Sequence, residues 1–377
     1  MTERLRILLV IPHLGGGGAE RVIALLARGL PPEKYDVHLA LVTALVTASD
    51  TQADAEVGRQ PPWVTVHRLD ARRVRSSTFR LLRLVRRLKP GAILSGTAHL
   101  NFLVLLLRPF FPRNTAVLVR QNATISPALA FGGLPAYTHV LYRLLYRRAD
   151  RVICQSRAMA ADLARSVRIP SDLIAVLPNP IDLNEIRTAS KEPAKWPDAG
   201  PHLLAVGRLS PEKGFDLLLR AFCVVRAEFP LAALTILGAG REEPALKALR
   251  RELGIEGAVD FPGYVDRPFA WFPGATLFVL SSRHEGMPNA LIEAAAARLP
   301  IVALPSCGGV VDFLRAQSGA WLAPQISAGA LADSLLDALR SLAPGQRFER
   351  AFPAAAEPQS PTPIGSGTSK PLAEAEL

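Results

Sequence analysis

The sequence predicts an α/β protein with two doubly wound, Rossmann-like domains. Three observations lead to this prediction. The 377 residues exceed the usual size of one domain, short apolar runs alternate with helical stretches in both halves, and a polar, proline-containing stretch at residues 191–201 separates the halves. Alternation of strands and helices favours mostly parallel sheets with right-handed crossovers. We expect each domain to bury a core of its own.

The first half begins with a strand that continues into the glycine-rich loop HLGGGG and a helix. A glycine loop between a strand and a helix brings backbone N–H groups against a phosphate or a reacting group. Counting G-x-G-x-x-G from Gly15 places Glu20 at the third glycine, so the loop is not a dinucleotide fingerprint. Strands are predicted at residues 7–11, 38–42, 64–67, 92–95, 116–119, 151–154 and 174–177, with a loop at 43–62.

The second half begins with a strand that runs into GRLSPEKGFDLLLRAF. Gly207 permits a tight turn, and Arg208 and Lys213 bring two cations to the carboxyl end of the strand, where parallel sheets bind ligands. Because Gly214 is not followed by Lys and Ser or Thr, this is not a Walker loop. Two cations on one loop suit a diphosphate. Strands are predicted at residues 203–206, 233–237, 259–261, 277–280 and 301–303.

Two carboxylates stand eight positions apart in SSRHEGMPNALIEAAAA. Glu285 falls on a loop, and Glu293 falls inside a predicted helix whose first residue is Pro288. Since apolar residues flank Glu293, its carboxylate would be expensive to bury unpaired, and we expect a polar group to meet it. The helix start offers unpaired N–H groups to a phosphate. A core helix with one exposed glutamate is the alternative interpretation.

The motif EGMPNALIE, with GRLSPEKGF upstream and GGAER near the N-terminus, resembles the retaining glycosyltransferases of family 4 (glycosyltransferase group 1). The resemblance covers roughly residues 5 to 340. It implies the GT-B architecture, in which two Rossmann-like domains face a central cleft. The expected parts are an acceptor-side domain at 1–180, a linker at 181–200 and a nucleotide-sugar-binding domain at 201–342. Residues 343–377 are rich in Pro, Ala, Ser and Gly, and we predict a disordered tail.

The resemblance also implies roles for individual residues. Arg208 and Lys213 would bind the diphosphate, and Glu285 would bind hydroxyls of the donor sugar. His99 lies near the position where the family often has a histidine that touches the transferred sugar, although a lone histidine is more often structural. These four residues are the candidates for catalysis. The candidates for donor binding are Gly16, Gly17, Gly263, Met287, Asn289, Ala290 and Glu293, with Glu293 on the ribose hydroxyls and Gly263 near the base.

The implied reaction moves a sugar, with retention, from a nucleotide diphosphate sugar, expected to be a UDP-sugar, to a hydroxyl of a glycan or lipid-linked acceptor. Such steps belong to the biosynthesis of surface polysaccharides or glycolipids. The sequence contains no D-x-D pair to hold Mg²⁺ against a diphosphate, so we expect neither a metal nor a cofactor. A non-catalytic subunit that binds a nucleotide sugar is one alternative. A sugar-nucleotide epimerase on the same fold is the other.

Charge is unevenly distributed along the chain. Residues 1–185 hold 25 Lys and Arg against 13 Asp and Glu, a net +12, and the remaining 19 basic and 20 acidic residues give −1. The densest stretch, residues 72–89, has eight basic residues and no acidic one, and it fits an amphipathic helix with a basic face. Such a helix suits an anionic membrane. The alternative is a surface helix whose arginines are simply solvated.

Other classes of protein are disfavoured by what the sequence lacks. Nucleic-acid binding is unsupported, since the basic stretch has no interleaved aromatic residues and no zinc spacing accompanies it. Cys154, Cys223 and Cys307 have neither metal-ligand nor disulfide spacing, which favours a reducing cytoplasm. The apolar runs are too short to span a bilayer. We therefore expect a cytoplasmic protein that can contact the inner face of the membrane.

Overall fold

A computed structural model describes residues 4–15, 17–43, 50–126, 136–189, 191–196, 200–265, 268–315 and 317–350. The chain divides between Pro180 and Ile181 into two compact units. We call them the N unit, which ends at Pro180, and the C unit, which begins at Ile181. The division falls at the residue where the sequence analysis ended the first domain. Within the described residues, no helix is long and apolar enough to cross a membrane.

The N unit is built on a seven-stranded sheet in which every paired strand is parallel. The strand order is β3-β2-β1-β4-β5-β6-β7. The central strands are almost wholly buried, as expected for a parallel sheet covered on both faces. The strands are β1 Leu5–Ile11, β2 Tyr35–Thr43, β3 Val64–Ala71, β4 Ala92–Ser95, β5 Ala116–Arg120, β6 Arg151–Cys154 and β7 Ile174–Val176.

Helices cover both faces of this sheet, so the predicted doubly wound architecture is confirmed. Ile23 and Ala27 of α1 pack on one face, and Leu81, Val104 and Leu163 from three other helices pack on the opposite face. The helices are α1 Gly18–Gly29, α2 Asp50–Gly58, α3 Thr78–Leu88, α4 Ala98–Leu107, α5 Ala136–Leu145 and α6 Arg157–Val167. Helix α2 lies in the stretch that was predicted to be a loop, and that expectation was wrong for these nine residues.

The C unit contains a six-stranded parallel sheet in the order β10-β9-β8-β11-β12-β13. Its strands are β8 His202–Val206, β9 Ala233–Leu237, β10 Val259–Gly263, β11 Leu277–Leu280, β12 Ile301–Ala303 and β13 Ala320–Leu322. Strand β13 was not predicted; it lies at the edge of the sheet and is only half-buried, whereas the equally short β12 is fully buried and apolar. The helices are α7 Leu183–Ala189, α8 Phe215–Glu228, α9 Glu243–Glu252, α10 Asn289–Ala296, α11 Gly308–Arg315 and α12 Ala328–Ser341.

The helices of the C unit also lie on both faces of the sheet. Phe222 of α8 and Leu335 of α12 belong to the core on one face, and Leu291 of α10 and Leu314 of α11 belong to the core on the other. Ile186 of α7 packs into this second core. Part of the segment predicted to be a linker therefore forms a helix that belongs to the C unit. Helix α10 begins at Asn289, one residue later than predicted.

The predicted disordered tail begins too early, because residues 343–350 pack on the C unit. Arg347 donates to the carbonyl oxygens of Pro273 and Ala275 at 2.8 and 3.1 Å. Arg350 donates to Gly319 at 2.8 Å, and the ring of Phe348 lies edge-on to that of Trp321. These residues satisfy carbonyl groups that precede β11 and β13, which explains why a proline- and alanine-rich segment is held in place. Residues 351–377 lie outside the described part of the chain.

Candidate active site

The loop after β8 places two of the predicted cations at the carboxyl edge of the C unit sheet. The loop starts with the N–H of Gly207, which donates to the Leu237 carbonyl at 2.9 Å. Arg208 is exposed, and a short 3₁₀ turn at Pro211–Lys213 brings Lys213 to the start of α8. Gly214 ends the turn with φ +64°, a left-handed conformation that favours glycine. The sequence therefore fixes Lys213 beside a helix start.

The loop after β11 packs tightly against this turn. A Cβ atom at Gly214 would overlap the carbonyl oxygen of Ser281, so only glycine permits the approach. Ser281 also donates its hydroxyl to the Lys213 carbonyl at 2.9 Å. The N–H of Arg283 donates to the Glu212 carbonyl at 2.8 Å. The two strand-end loops therefore form one surface on which Lys213 and Glu285 can meet.

Lys213 and Glu285 form an ion pair at the centre of this surface. Nζ of Lys213 lies 2.5 Å from Oε1 of Glu285, and the hydroxyl of Ser282 donates to the same oxygen at 2.8 Å. The two side chains are 22% and 14% exposed, and Ser282 is fully buried. Partial burial strengthens such a contact relative to a surface ion pair. The structure brings together the cation and the carboxylate that were predicted from separate motifs.

A second ion pair, between Arg283 and Asp216, joins the loop after β11 to the start of α8. The guanidinium of Arg283 donates to both carboxylate oxygens of Asp216 at 2.7 and 2.6 Å. Burial acts to raise the pKa of Asp216, but the hydrogen bonds and charge of Arg283 outweigh it, so the pKa lies below its ordinary value. A bidentate pair adds geometric specificity as well as energy. Asp216 lies in the first turn of α8, so the pair ties the start of that helix to the loop after β11.

Glycines after the neighbouring strands allow the other loops of this edge to approach. A Cβ atom at Gly238 would overlap the Gly207 carbonyl oxygen, and one at Gly240 would overlap the Leu209 carbonyl oxygen. Gly263 accepts a hydrogen bond from the N–H of Gly238 at 2.8 Å. Gly263 has φ +84°. A Cβ atom added to Gly263 would meet no atom within 4 Å, so open space lies beside the predicted base-binding residue.

The second predicted carboxylate lies on α10. Glu293 is 9% exposed in the middle of this helix, and Met287, Asn289 and Ala290 are half-buried at its beginning. The loop before the helix is also held by Cys307, whose thiol donates to the Gly286 carbonyl at 3.1 Å. Burial raises the pKa of Cys307 to about 11, despite opposing N–H contacts from Gly309 and Val310. The thiol is therefore protonated at neutral pH.

The remaining predicted residues belong to the N unit. Gly17 precedes α1 and accepts the N–H of Arg21 at 3.0 Å, whereas Gly16 lies outside the described residues. His99 is exposed in the first turn of α4, after β4. Gly17 and His99 therefore follow the carboxyl ends of β1 and β4 in the N unit sheet.

Sequence reasoning missed the side chains that hold the site together. Ser281, Ser282, Asp216, Arg283 and Cys307 were given no role. Except for Ser282, which contacts Glu285 in the same loop, these residues join segments that are more than 20 positions apart, and no spacing within one motif marks them. Of these residues, only Ser281 and Ser282 could have been identified from the sequence, since two small polar residues directly after the apolar strand β11 indicate a possible ligand-binding loop.

Two family models match the chain. The model described as Glycosyltransferase Family 4 matches residues 16–185, and the model described as Glycosyl transferases group 1 matches residues 200–341. The first match falls mainly on the N unit and the second on the C unit. Together the two models span most of the chain.

The chain is also similar to proteins that are named as glycosyltransferases. The N-acetylgalactosamine-N,N'-diacetylbacillosaminyl-diphospho-undecaprenol 4-alpha-N-acetylgalactosaminyltransferase of Campylobacter jejuni is 27% identical over 306 residues, which are 78% of this chain and 79% of that protein. The putative colanic acid biosynthesis glycosyltransferase WcaL of Salmonella typhimurium is 28% identical over 237 residues, which are 60% of this chain and 57% of that protein. The chain therefore spans little more than half of the second relative.

A solved structure shares the fold. Anabaena Alr3699/HepE in complex with UDP and glucose aligns with a TM-score of 0.72 at 16% identity, and the match covers 90% of each chain. At this identity the likeness concerns the fold alone. It agrees with the two parallel-sheet units described above.

Proposed function

Because the chain belongs to the family 4, group 1 glycosyltransferases and has the GT-B fold, we propose that it transfers a sugar from a nucleotide diphosphate sugar to an acceptor hydroxyl with retention at the anomeric carbon. The observation that carries this proposal is the ion pair between Lys213 and Glu285, held by Ser282 at the carboxyl edge of the C unit sheet. A cation for phosphate and a carboxylate for sugar hydroxyls stand side by side there. We propose a UDP-sugar as the donor, as UDP is bound in the similar fold of Alr3699/HepE.

The leaving group of this reaction is a nucleoside diphosphate, so the catalytic task is to stabilise charge that develops on a phosphate oxygen. Lys213 has three N–H donors, so it can donate to a phosphate oxygen and keep its ion pair with Glu285. Arg208 lies on the same loop and is exposed to a ligand. The N–H groups at the start of α10 add a positive dipole end. Groups fixed before the ligand arrives stabilise the transition state without reorganisation.

The carboxylates have different tasks in this proposal. Glu285 binds hydroxyls of the donor sugar and orients the anomeric carbon, and Glu293 binds the ribose hydroxyls. Retention then follows a front-face substitution. The acceptor oxygen forms a bond to the anomeric carbon, the bond from that carbon to the diphosphate oxygen breaks, and the acceptor's proton passes to the leaving phosphate. This route requires neither a metal nor a covalent intermediate on the protein.

We propose a glycan or lipid-linked acceptor in the biosynthesis of surface polysaccharide or glycolipid. The Campylobacter jejuni relative is named for a transfer to a diphospho-undecaprenol-linked sugar, and the Salmonella relative is named for colanic acid biosynthesis. The excess positive charge in the first half of the chain suits an acceptor at an anionic membrane surface.

The donor site is tested by thermal unfolding with UDP, GDP and ADP. We expect UDP at about one hundred times its dissociation constant to stabilise the wild type by roughly 2.7 kcal/mol, a rise of several degrees in Tm. The variant Glu293→Ala should lose this rise, and Asp333→Ala, which removes an exposed carboxylate on α12, should keep it. Equal shifts in Glu293→Ala and wild type would remove Glu293 from the donor site. No shift with any nucleotide would favour a chain that has lost donor binding.

We also propose that α3 contacts an anionic membrane at the inner face, with the protein in the cytoplasm. Phe79 is 84% exposed on this helix, and Arg83, Arg86 and Arg87 are exposed with it. Phe110, which follows α4, is also largely exposed, and its carbonyl accepts a hydrogen bond from Arg86 at 3.3 Å. Arginines near an anionic surface contribute about 1 kcal/mol each, and aromatic rings add apolar contact.

Flotation with vesicles containing anionic phospholipid tests this contact. Wild type should float, and the charge reversal of Arg83, Arg86 and Arg87 to Glu should remain at the bottom. Arg80 is left unchanged because its guanidinium donates to the Asp70 carbonyl at 2.7 Å and its loss would disturb the fold. The matched control reverses Arg220, Arg251 and Arg315, three exposed arginines of the C unit. Equal flotation of both triple variants would eliminate α3 as the contact.

A further inference from the structure

The carboxyl edge of the N unit sheet contains a buried guanidinium whose donors are only partly used. Arg120 is the last residue of β5 and is 1% exposed. Its Nη2 donates to the side-chain oxygen of Asn179. Among the residues that the structure describes, Nε and Nη1 of Arg120 have no hydrogen-bond acceptor. Buried donors are almost always satisfied, so two unsatisfied ones on a single charged group call for an explanation.

The charge of Arg120 is also uncompensated within the described part of the chain. No carboxylate there forms an ion pair with it. Burial lowers the pKa of Arg120 to about 10, so the guanidinium remains protonated at neutral pH. A buried charge without a partner of opposite sign is strongly unfavourable. The described residues therefore supply no group of opposite charge for this arginine.

Neighbouring groups hold Arg120 in place. Asn101 donates to the Arg120 carbonyl at 2.9 Å and to the Tyr146 hydroxyl at 3.0 Å, and Tyr146 donates to Gln121 at 2.9 Å. These residues are all buried. These hydrogen bonds therefore fix the backbone position from which the Arg120 side chain extends.

Further polar atoms without partners lie at the ends of the adjacent strands. Gln155 follows β6, the neighbour of β5, and its Oε1 has no donor among the described residues. Thr97 follows β4, the other neighbour, and its hydroxyl has no partner in the same set. Asn122 joins the two strand ends, since it contacts the Gly96 carbonyl and accepts from Gln155 at 3.1 Å. Three adjacent strands therefore end in polar groups with atoms for which the described residues provide no hydrogen-bond partner.

We propose that this edge of the N unit binds an oxyanion, a phosphoryl or carboxylate group, and that Arg120 is the residue that pairs with it. An oxyanion supplies the opposite charge and accepts from both Nε and Nη1 in the bidentate geometry typical of arginine. The inference rests on the proposed function, because it assigns the anionic group to the acceptor and so defines the acceptor's chemical class. Phosphorylated and uronic-acid-containing acceptors both carry such a group.

A structural arginine satisfied by internal water is the competing explanation, and the two differ in their effect on stability. Replacing a buried, unpaired charge by an apolar side chain of similar length is often neutral or stabilising. If Arg120 is retained for a ligand, Arg120→Met should leave the Tm of the empty protein unchanged or raise it. If Arg120 organises water and Asn179 for the fold, the same change should lower Tm by several degrees.

Anion binding is measured by thermal unfolding of the full chain with UDP at saturation, so that added anions do not compete for Lys213 and Arg208. Sodium phosphate and sodium malonate are each compared with sodium chloride at equal ionic strength. At about ten times its dissociation constant, the preferred anion should raise the Tm of wild type by about 3 °C. Arg120→Met should lose this rise. Arg113→Met, which removes an exposed arginine of the same unit, should keep it.

Each outcome decides the proposal. A rise with phosphate alone identifies a phosphoryl group, and a rise with malonate alone identifies a carboxylate. The same rise in Arg120→Met, or no rise in wild type with either anion, overturns the proposal. If Arg120→Met does not fold, Arg120→Lys replaces it, and this variant should lose at least half of the rise because a lysine lacks the fork. The shift with UDP is recorded for every variant, so a failure of the donor site is distinguishable from a failure at Arg120.

Discussion

At the carboxyl edge of the C unit sheet, the ammonium of Lys213 lies 2.5 Å from the carboxylate of Glu285. At the corresponding edge of the N unit, Arg120 has the amide of Asn179 as a partner and no carboxylate within the described residues. Both edges are ends of parallel sheets, where ligands commonly bind. The C unit thus pairs Lys213 with a carboxylate of its own, whereas the described residues of the N unit provide no carboxylate for Arg120. An anion should therefore compete with an existing contact in the C unit and complete a missing one in the N unit.

The largest expected effect comes from removing the cation that is already paired. Lys213→Ala should lower kcat by about 10²- to 10³-fold at saturating donor, since it deletes a preorganised group aimed at the leaving phosphate. Lys247→Ala is the matched control, because Lys247 pairs with Glu243 at 2.7 Å on α9 and has no place in the site. Steady-state kinetics with a sugar acceptor measure both. Near-normal turnover of Lys213→Ala would show that the pair with Glu285 is structural and not catalytic.

A smaller effect is expected from the serine that fixes Glu285. Ser282→Ala deletes the hydrogen bond of 2.8 Å to Oε1 and should lower kcat/KM for the donor by about tenfold, which corresponds to about 1.4 kcal/mol. Ser334→Ala removes a buried hydroxyl that donates to the Ala330 carbonyl at 2.9 Å on α12. Both variants should lose about 1 kcal/mol of unfolding free energy. Only Ser282→Ala should also lose activity. Equal activities of the two variants would show that Ser282 contributes to stability and not to the reaction.

The comparison also shows why some of the site was predictable from the sequence. Arg208, Lys213, Glu285 and Glu293 stand in two local motifs whose distance from a strand end is fixed by chain connectivity. Parallel strands bring their carboxyl ends to one edge, so the topology alone brings those motifs together. The family resemblance then supplied roles that residue spacing does not contain.

The parts that the sequence did not reveal depend on contacts between distant segments. The sequence shows Arg120 only as an arginine after an apolar run, whereas its burial and the lack of acceptors for Nε and Nη1 among the described residues are properties of the folded chain. The ordered residues 343–350 were missed for a related reason. Their order depends on arginines that reach carbonyl groups more than 30 positions away, and local composition does not record this.

The smallest expected effect concerns the brace between Asp216 and Arg283, which supports the paired edge in the C unit. The pKa of Asp216 is lowered in the folded protein, so the carboxylate stabilises the fold above the ordinary pKa of aspartate, and this contribution is lost as pH falls through the lowered value. The side chains of Arg283 and Asp216 are 30% and 41% exposed, and solvent screening limits the contribution to about 0.5 to 1 kcal/mol. Asp216→Asn should therefore be less stable than wild type by this amount at pH 7.

Urea unfolding at several pH values measures the difference. The difference should be constant between about pH 7 and pH 5 and should shrink below about pH 4, as the aspartate becomes protonated first in the unfolded and then in the folded protein. Asp333→Asn, an exposed position on α12, should match wild type throughout. A difference that persists undiminished in acid would assign the loss to hydrogen-bond geometry instead of charge. In that case the charge of Asp216 would not stabilise the C unit, and the Lys213–Glu285 pair would be the remaining electrostatic difference between the two sheet edges among the residues discussed.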